Sequence, residues 1–284
     1  MINLNPLVTI VIPCYNCEST VLEAIQSALN QIYKNIEVIV INDGSIDNSK
    51  DIIIKELSKD ARLTYKEQEN KGLSAARNLG LHFAQGEYIV FLDADDMLKD
   101  SYVQISLGHY DDNPNLIIVY SNMELFERET GVLYLPKFEI NLFLKSNCIP
   151  AFAMVRTSQI KEIGGFDEDV KLCEDWECWM HLLKCFSGDV LRIEEPLYNY
   201  RKRFSADSIM DQNVDNSIDE VLLYIYKKHY ELYRKHGFII SNLLRDRHQL
   251  KQIRLKYYNV WYRKLIYKVF KANKFRQIMN ELRS

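Results

Sequence analysis

The stretch Tyr88-Ile89-Val90-Phe91-Leu92-Asp93-Ala94-Asp95-Asp96 decides how this chain is read. Five consecutive β-favouring residues predict a buried strand. Three carboxylates then fall within four positions, where that strand ends. Clustered carboxylates repel and lose hydration, so packing alone gives no reason for them. A divalent cation with a phosphorylated ligand on its far side relieves both problems. The competing reading is a solvated loop, or a helix beginning near Leu98 with Asp96 as its cap. The stretch alone does not choose between them.

Strand-like and helix-like segments alternate on both sides of this stretch. Strands are expected at 7–12, 36–41, 63–66, 88–92 and 116–120, and helices at 18–30, 47–57, 73–84 and 101–110. The 36–41 run is almost wholly apolar, as in a parallel sheet buried on both faces. In 18–30, Val21, Ile25, Ala28 and Leu29 share one side of a helix. This order implies an α/β sheet between helices, whose ligands bind beyond the carboxyl ends of the strands. Residues 13–16, 42–45 and 93–96 fall there. Further on, a hairpin is expected over 123–135, turning near Thr130-Gly131, then a Gly164-Gly165 loop and a helix over 175–186. Beyond 211 the pattern is helical throughout, and no internal repeat is evident.

The 284 residues suit one large domain, or a domain with an appendage, and a hydrophobic content of 47% supplies a sizeable core. No apolar run approaches the roughly 20 residues that span a bilayer. Residues 1–6 carry neither a basic run nor a cleavage site, so no signal peptide is expected. Cysteines stand at 14, 17, 148, 173, 178 and 185. Cys14 and Cys17 form a CxxC, but no second pair or partner histidines stand at zinc spacing, so reduced thiols are expected. The formal charge of −3 conceals a segregation. From 227 to 284 there are 16 Lys+Arg against 3 Asp+Glu. Taken from the totals of 36 and 39, that leaves 20 basic and 36 acidic residues in 1–226. The body is therefore about −16 and the tail about +13, which suggests a tail that meets an anionic surface.

Three further segments carry chemistry. In Ile12-Pro13-Cys14-Tyr15-Asn16, the proline stops a ladder and Tyr15 offers a ring to stack on. In Ile41-Asn42-Asp43-Gly44-Ser45, a carboxylate at a strand end can accept a base N–H, though the same residues also make a plain turn with Ser45 or Asp47 as a cap. In Asn70-Lys71-Gly72-Leu73-Ser74-Ala75-Ala76-Arg77-Asn78, Gly72 lets the chain enter a helix whose N-terminal N–H groups stay free. Arg77, one turn in, can pair with a phosphate or with the carboxylates at 93–96.

In this order and spacing, the four segments resemble the family 2 glycosyltransferases of the GT-A fold, over about residues 7–205. With the helical pattern beyond 211, the expected organisation is a catalytic domain at 1–212, with a nucleotide-sugar half (1–120) and an acceptor half (121–212), and a basic, aromatic-rich C-terminal helical extension at 213–284. The resemblance implies a mostly parallel Rossmann-like sheet flanked by helices. It implies that Pro13 and Tyr15 border the uracil, that Asp43 accepts its N3–H, and that Asn70, Ser74 and Arg77 line the nucleotide pocket. Asp93 and Ala94 are implied to meet the nucleoside sugar. Asp95 is implied to hold Mg2+ or Mn2+ against the diphosphate, with Asp93 as a second candidate ligand. Gly164-Gly165-Phe166-Asp167-Glu168 followed by Glu174-Asp175-Trp176-Glu177 resembles the family's acceptor-side motif. There the second acid of the Glu-Asp pair is the general base, a role carried to Asp175, with Glu174 beside it. Two adjacent carboxylates resist ionising together, so such a base gains proton affinity. Trp176 and Trp179 offer flat apolar surface to a sugar; the competing reading has Asp175 capping the following helix and the tryptophans in the core. In Tyr198-Asn199-Tyr200-Arg201-Lys202-Arg203, Arg201 matches a Tyr-Arg pair of the family and is expected at the diphosphate. Arg203 stands where relatives carry a histidine, often a metal ligand. Arginine has donors only and ligates no metal.

The expected activity is inverting transfer of a sugar from a UDP-hexose or UDP-N-acetylhexosamine to a hydroxyl of a glycan or glycolipid, in cell-surface polysaccharide synthesis. A nucleotidyltransferase and a non-catalytic nucleotide-sugar-binding protein at the membrane are the alternatives. The first of these lacks its usual glycine-rich basic loop after the first strand. Dehydrogenase chemistry is disfavoured because no G-x-G-x-x-G follows that strand. In 250–261, Leu250, Ile253, Tyr257, Val260 and Trp261 share an arc flanked by Arg247, Lys251, Arg254 and Lys256. That composition predicts a helix lying on an anionic membrane surface, with packing or homodimerisation as the second reading; nucleic acid is not expected. The expected location is the cytoplasm, peripheral on the inner face of the membrane.

Overall fold

The computed structural model describes residues 5–204 and 217–242, with 245, 249, 252, 256 and 260 as isolated positions. Its first half alternates strand and helix: β1 (Val8–Cys14), α1 (Val21–Leu29), β2 (Ile36–Asp43), α2 (Ser49–Leu57), β3 (Leu63–Gln68), α3 (Leu73–Phe83) and β4 (Tyr88–Phe91). The four strands lie side by side as β3-β2-β1-β4, all parallel, with Val8 opposite both Ile36 and Tyr88. Every residue of β1 and β4 is buried, as in a sheet covered on both faces. One face of β1 presents Ile10 and Ile12 to Val21, Ala24, Ile25 and Ala28 of α1. The other presents Val11 to Gly80 of α3, where an added Cβ would sit 2.2 Å from a Val11 methyl. Helix α1 begins three residues later than its polar start suggested. The Glu18 side chain instead accepts hydrogen bonds from the backbone and side chain of Asn48, ahead of α2.

The second half comprises β5 (Met97–Leu98), α4 (Tyr102–Asp112), β6 (Leu116–Glu127), β7 (Gly131–Leu133), α5 (Ile140–Phe143), β8 (Met154–Arg156), α6 (Thr157–Glu162), α7 (Glu174–Cys185) and β9 (Asp189–Lys202). It extends the sheet as β4-β8-β6-β9-β5, with β7 paired to β6. Strand β8 is antiparallel to both neighbours, while β6 and β9 are parallel. The sheet is thus parallel in the half that bears Tyr15, Asp43 and Asp93 and mixed in the other. The expected hairpin is present, with Leu125 opposite Gly131, and its first arm is continuous with the expected strand at 116–120.

Two compact units divide the chain, Met1–His229 and Tyr230–Ser284. Helix α8 (Ser217–Lys228) belongs to the first, and α9 (Tyr230–Lys235) opens the second. The helix expected over 250–261 lies outside the described residues, apart from single positions. Among the described residues, no helix is long and apolar enough to cross a membrane. All six cysteines are free thiols.

Candidate active site

The site gathers at the carboxyl ends of β1, β2 and β4. Tyr15 follows β1 with its ring half exposed, at 47%; Pro13 is buried within the strand. The Tyr15 loop is fastened to the loop after β2. Asn16 N–H donates to Ser45 Oγ (3.0 Å), Ile46 N–H to Asn16 Oδ1 (2.9 Å) and Glu18 N–H to Asp47 Oδ2 (2.9 Å). Asp47 also accepts the Ser49 N–H in an Asx turn ahead of α2, whose N-cap residue is Asn48.

Asp43, at the end of β2, is buried. Its carboxylate accepts from Gln68 Nε2 (2.7 Å), Lys71 N–H (2.9 Å) and Gly72 N–H (2.9 Å). A carboxylate has about four lone-pair sites, so one acceptor position remains for a ligand N–H. The close approach of the two loops requires Gly44. Its φ is +73°, and an added Cβ would lie 2.7 Å from the Asn70 backbone nitrogen. Asn70 itself is exposed, whereas Ser74 is buried and its hydroxyl donates to the Val170 carbonyl at 3.4 Å.

Arg77 is buried and donates from Nη2 to Asp93 Oδ1 (2.9 Å) and from Nη1 to Glu174 Oε1 (2.7 Å). Of its two expected partners, phosphate and carboxylate, the structure supplies the carboxylate. Burial works against its charge, but Asp93 and Glu174 outweigh it and hold the guanidinium charged. One cation therefore ties the loop after β4 to the first turn of α7. Ala94, in the same loop after β4, is buried. Asp95 Oδ2 accepts from Arg203 Nη2 at 2.6 Å. Burial, then the Asp93 charge, raises the proton affinity of Asp95, against the opposing pull of Arg203.

Asp96, a helix cap in the competing reading and otherwise without an assigned role, caps no helix: it is buried and accepts from Tyr198 Oη (2.8 Å) and from the Arg201 backbone N–H (2.7 Å), which locks β9 to the acidic loop. Arg201, expected at the diphosphate, is committed to the protein. Its guanidinium donates to the Asp95 carbonyl (2.6 Å) and pairs with Glu127 and Glu23.

On the other side of the Arg77 bridge, Glu174 and Asp175 open α7. Asp175 accepts from Asn147 Nδ2 (3.0 Å) and from the Trp176 N–H (2.7 Å). Burial first, and the Glu174 charge second, push its pKa up to about 7, while Arg77 opposes them. The tryptophans do not offer the expected platform. Trp179 is 0% exposed and packs on Phe166, and Trp176 is 6% exposed with its Nε1–H donated to the Phe143 carbonyl. Asn147, Gln68, Glu23 and Glu127 are site residues that the sequence reading missed. Their partners stand 25 to 178 positions away, so no local spacing marks them.

The donor set bears on the implied cation. Asp93 and Asp95 supply hard carboxylate oxygens, and among the described residues no group of three His, Cys, Asp or Glu forms a cage. These residues fit the binding mode in which one or two carboxylates share a cation with substrate phosphates and water.

Residues 9–164 match the family model described as glycosyl transferase family 2. More than half of the chain is covered, and the chain belongs to that family. An uncharacterised glycosyltransferase of Rickettsia typhi is 36% identical over 196 residues, covering 64% of this chain and 60% of the relative. A chondroitin synthase of Escherichia coli is 29% identical over 199 residues, covering 68% of this chain and 29% of the relative. Residues 1–349 of S. aureus TarS in complex with UDP-GlcNAc superpose with a TM-score of 0.61 at 20% identity, over 81% of this chain and 74% of that one. That likeness is one of fold. The chain spans less than two thirds of the length of both curated relatives.

Proposed function

We propose that the chain transfers a sugar from a UDP-hexose or UDP-N-acetylhexosamine to a hydroxyl of a glycan or glycolipid, with inversion, in cell-surface polysaccharide synthesis. The observation that carries this reading is the Arg77 bridge. It couples Asp93, at the end of β4, to Glu174, beside a carboxyl whose pKa lies near neutrality. A nucleotide-binding loop and a general base are thereby held in one network. A sugar-nucleotide donor is further supported by the TarS complex with UDP-GlcNAc, and a glycan product by the relative named chondroitin synthase.

In the proposed reaction, Tyr15 stacks on uracil and the remaining acceptor position of Asp43 takes its N3–H. The acceptor oxygen attacks the anomeric carbon while Asp175 removes its proton. The bond to the departing phosphate oxygen breaks on the opposite face, and UDP leaves with the electron pair. Asp175 must be ionised to act, so the rate falls as pH drops below about 7. Asp95, with Asp93 beside it, would hold Mg2+ or Mn2+. The bound cation would offset the charge that grows on the leaving diphosphate. The basic segment 227–284 would keep the enzyme against the inner face of an anionic membrane.

Asp175→Asn tests the assignment. Transfer from UDP-sugars is expected to fall by about three orders of magnitude or more, with UDP affinity by calorimetry within about two-fold of the parent. Near-normal turnover would remove Asp175 from the mechanism. Release of pyrophosphate from a nucleoside triphosphate would favour the nucleotidyltransferase reading instead.

A further inference from the structure

The rear of α7 carries a charge cluster, buried at Glu177 and His229 and half-buried at Asp167 and Lys228, for which the proposed reaction has no use. Glu177 lies in the first turn of α7, two residues after Asp175, and is 0% exposed. His229 Nε2 stands 2.7 Å from Glu177 Oε1, and Lys228 Nζ stands 2.8 Å from the same oxygen. Lys228 also donates to Asp167 Oδ2 at 2.5 Å, and Tyr224 Oη donates to that oxygen at 2.8 Å. Three side chains at the C-terminal end of α8 thus grip two acids, one on α7 and one in the loop before it.

Burial disfavours the charge of Glu177, but the hydrogen bonds and charges of His229 and Lys228 outweigh it and lower its proton affinity. Such a cluster is a poor way to gain stability, because burying each ion costs several kcal/mol that pairing only partly offsets. Ile225 of α8 is fully buried and already supplies apolar docking. What the charges add is a fixed position. At about 100° per helical residue, Glu177 lies some 200° around α7 from Asp175. The grip is therefore on the far side of the helix from the base. The second anchor, Asp167, follows Phe166, whose N–H and carbonyl are both held by Asn78, the neighbour of Arg77. This approach requires Gly165, which has a φ of +79° and where an added Cβ would lie 2.4 Å from Asn78 Oδ1.

We propose that Lys228 and His229 are positioning residues for the transfer reaction. By clamping Glu177 and Asp167, they fix the rotation and height of the first turn of α7, and with it the aim of Asp175. The inference rests on the reading of Asp175 as the base. A displacement of about 1 Å at a reacting group costs on the order of a hundred-fold in rate.

The test uses the full chain, with UDP release from a panel of UDP-hexoses and UDP-N-acetylhexosamines and water as acceptor. Lys228→Met is expected to lower kcat about ten-fold or more, with KM for the donor and Kd for UDP within about two-fold. Lys228→Arg, which keeps the charge, is expected to restore most of kcat. Lys228→Met alone leaves buried Glu177 and half-buried Asp167 short of a partner, so Glu177→Gln/Lys228→Met, which removes the charges of Glu177 and Lys228, is measured beside it, each checked for folding by near-UV circular dichroism. A folded double variant with parental kcat overturns the clamp, as does a loss confined to KM. Asp175→Asn in the same assay separates the two readings. If it is inactive while the double variant is normal, the clamp alone fails. If it is itself normal, the base assignment fails and takes the clamp with it.

Discussion

Arg203 occupies one oxygen of Asp95 at 2.6 Å. A cation approaching Asp95 must displace that guanidinium or share the carboxylate with it, against the repulsion of a like charge. At an effective dielectric of about 20, two unit charges about 4 Å apart repel by roughly 4 kcal/mol before salt screening. On the proposed reading, the arginine would weaken cation binding at Asp95 until a diphosphate drew both positive groups. Arg203→His removes the charge and supplies an imidazole. Mn2+ affinity without nucleotide, followed by electron paramagnetic resonance, is expected to rise about ten-fold or more. Unchanged affinity would show that Arg203 does not govern the metal. At this scale the sequence was legible in part. The placement of Tyr15, Asp43, Asp93 and Asp95 at or just beyond strand ends was legible from the alternation of elements, whereas Asp175 was singled out only by the resemblance to the family's acceptor-side motif. The engagement of Arg77 and Arg201 was not legible. Glu23 and Glu127 meet Arg201 only because α1 and β6 are brought together across the fold.

In the parallel half of the sheet, α3 packs on β1, and their contact is tight at one point. Gly80 presses against Val11, where an added Cβ would fall 2.2 Å from one methyl and 3.0 Å from the other. Gly80→Ala trades a small gain in helix propensity for overpacking of a fully buried strand. The expected net loss is about 1–3 kcal/mol, read as a lower denaturant midpoint. Val11→Ala should be costly alone and partly compensatory in the double variant, because it opens the space the new methyl needs. Equal, additive losses would mean that the two elements separate rather than repack. Elements with uninterrupted periodicity, such as β1, β2 and α3, were readable from the sequence. Strand β9 was not. Pro196 interrupts it, and its pairing with β6 shifts register on both sides of Asn122, so alternation breaks where the strand is longest. The three-residue β8 is too short to leave a pattern, yet its reversed direction makes the sheet mixed.

On the scale of the whole molecule, the charges are sorted by position along the chain. Residues 227–284 carry 16 Lys+Arg and 3 Asp+Glu, against an acidic remainder. Near an anionic bilayer, each basic residue close to the surface contributes about 1 kcal/mol at physiological ionic strength. Even a fraction of the 16 would then suffice to hold the chain, because repulsion from acidic residues more than about 8 Å from the surface is largely screened. The chain is therefore expected to sediment with vesicles containing phosphatidylglycerol and to stay in solution with neutral phosphatidylcholine vesicles. At about 1 M salt the Debye length shrinks to about 3 Å, and binding should be lost if charge alone holds the protein. Residual binding at that salt would reveal inserted aromatic side chains, for which Tyr258, Trp261 and Tyr262 are the candidates. Equal partitioning onto both vesicle types at low salt would refute an electrostatic tether. A concentration-dependent dimer in sedimentation equilibrium, with no vesicle binding, would assign the basic segment to self-association instead.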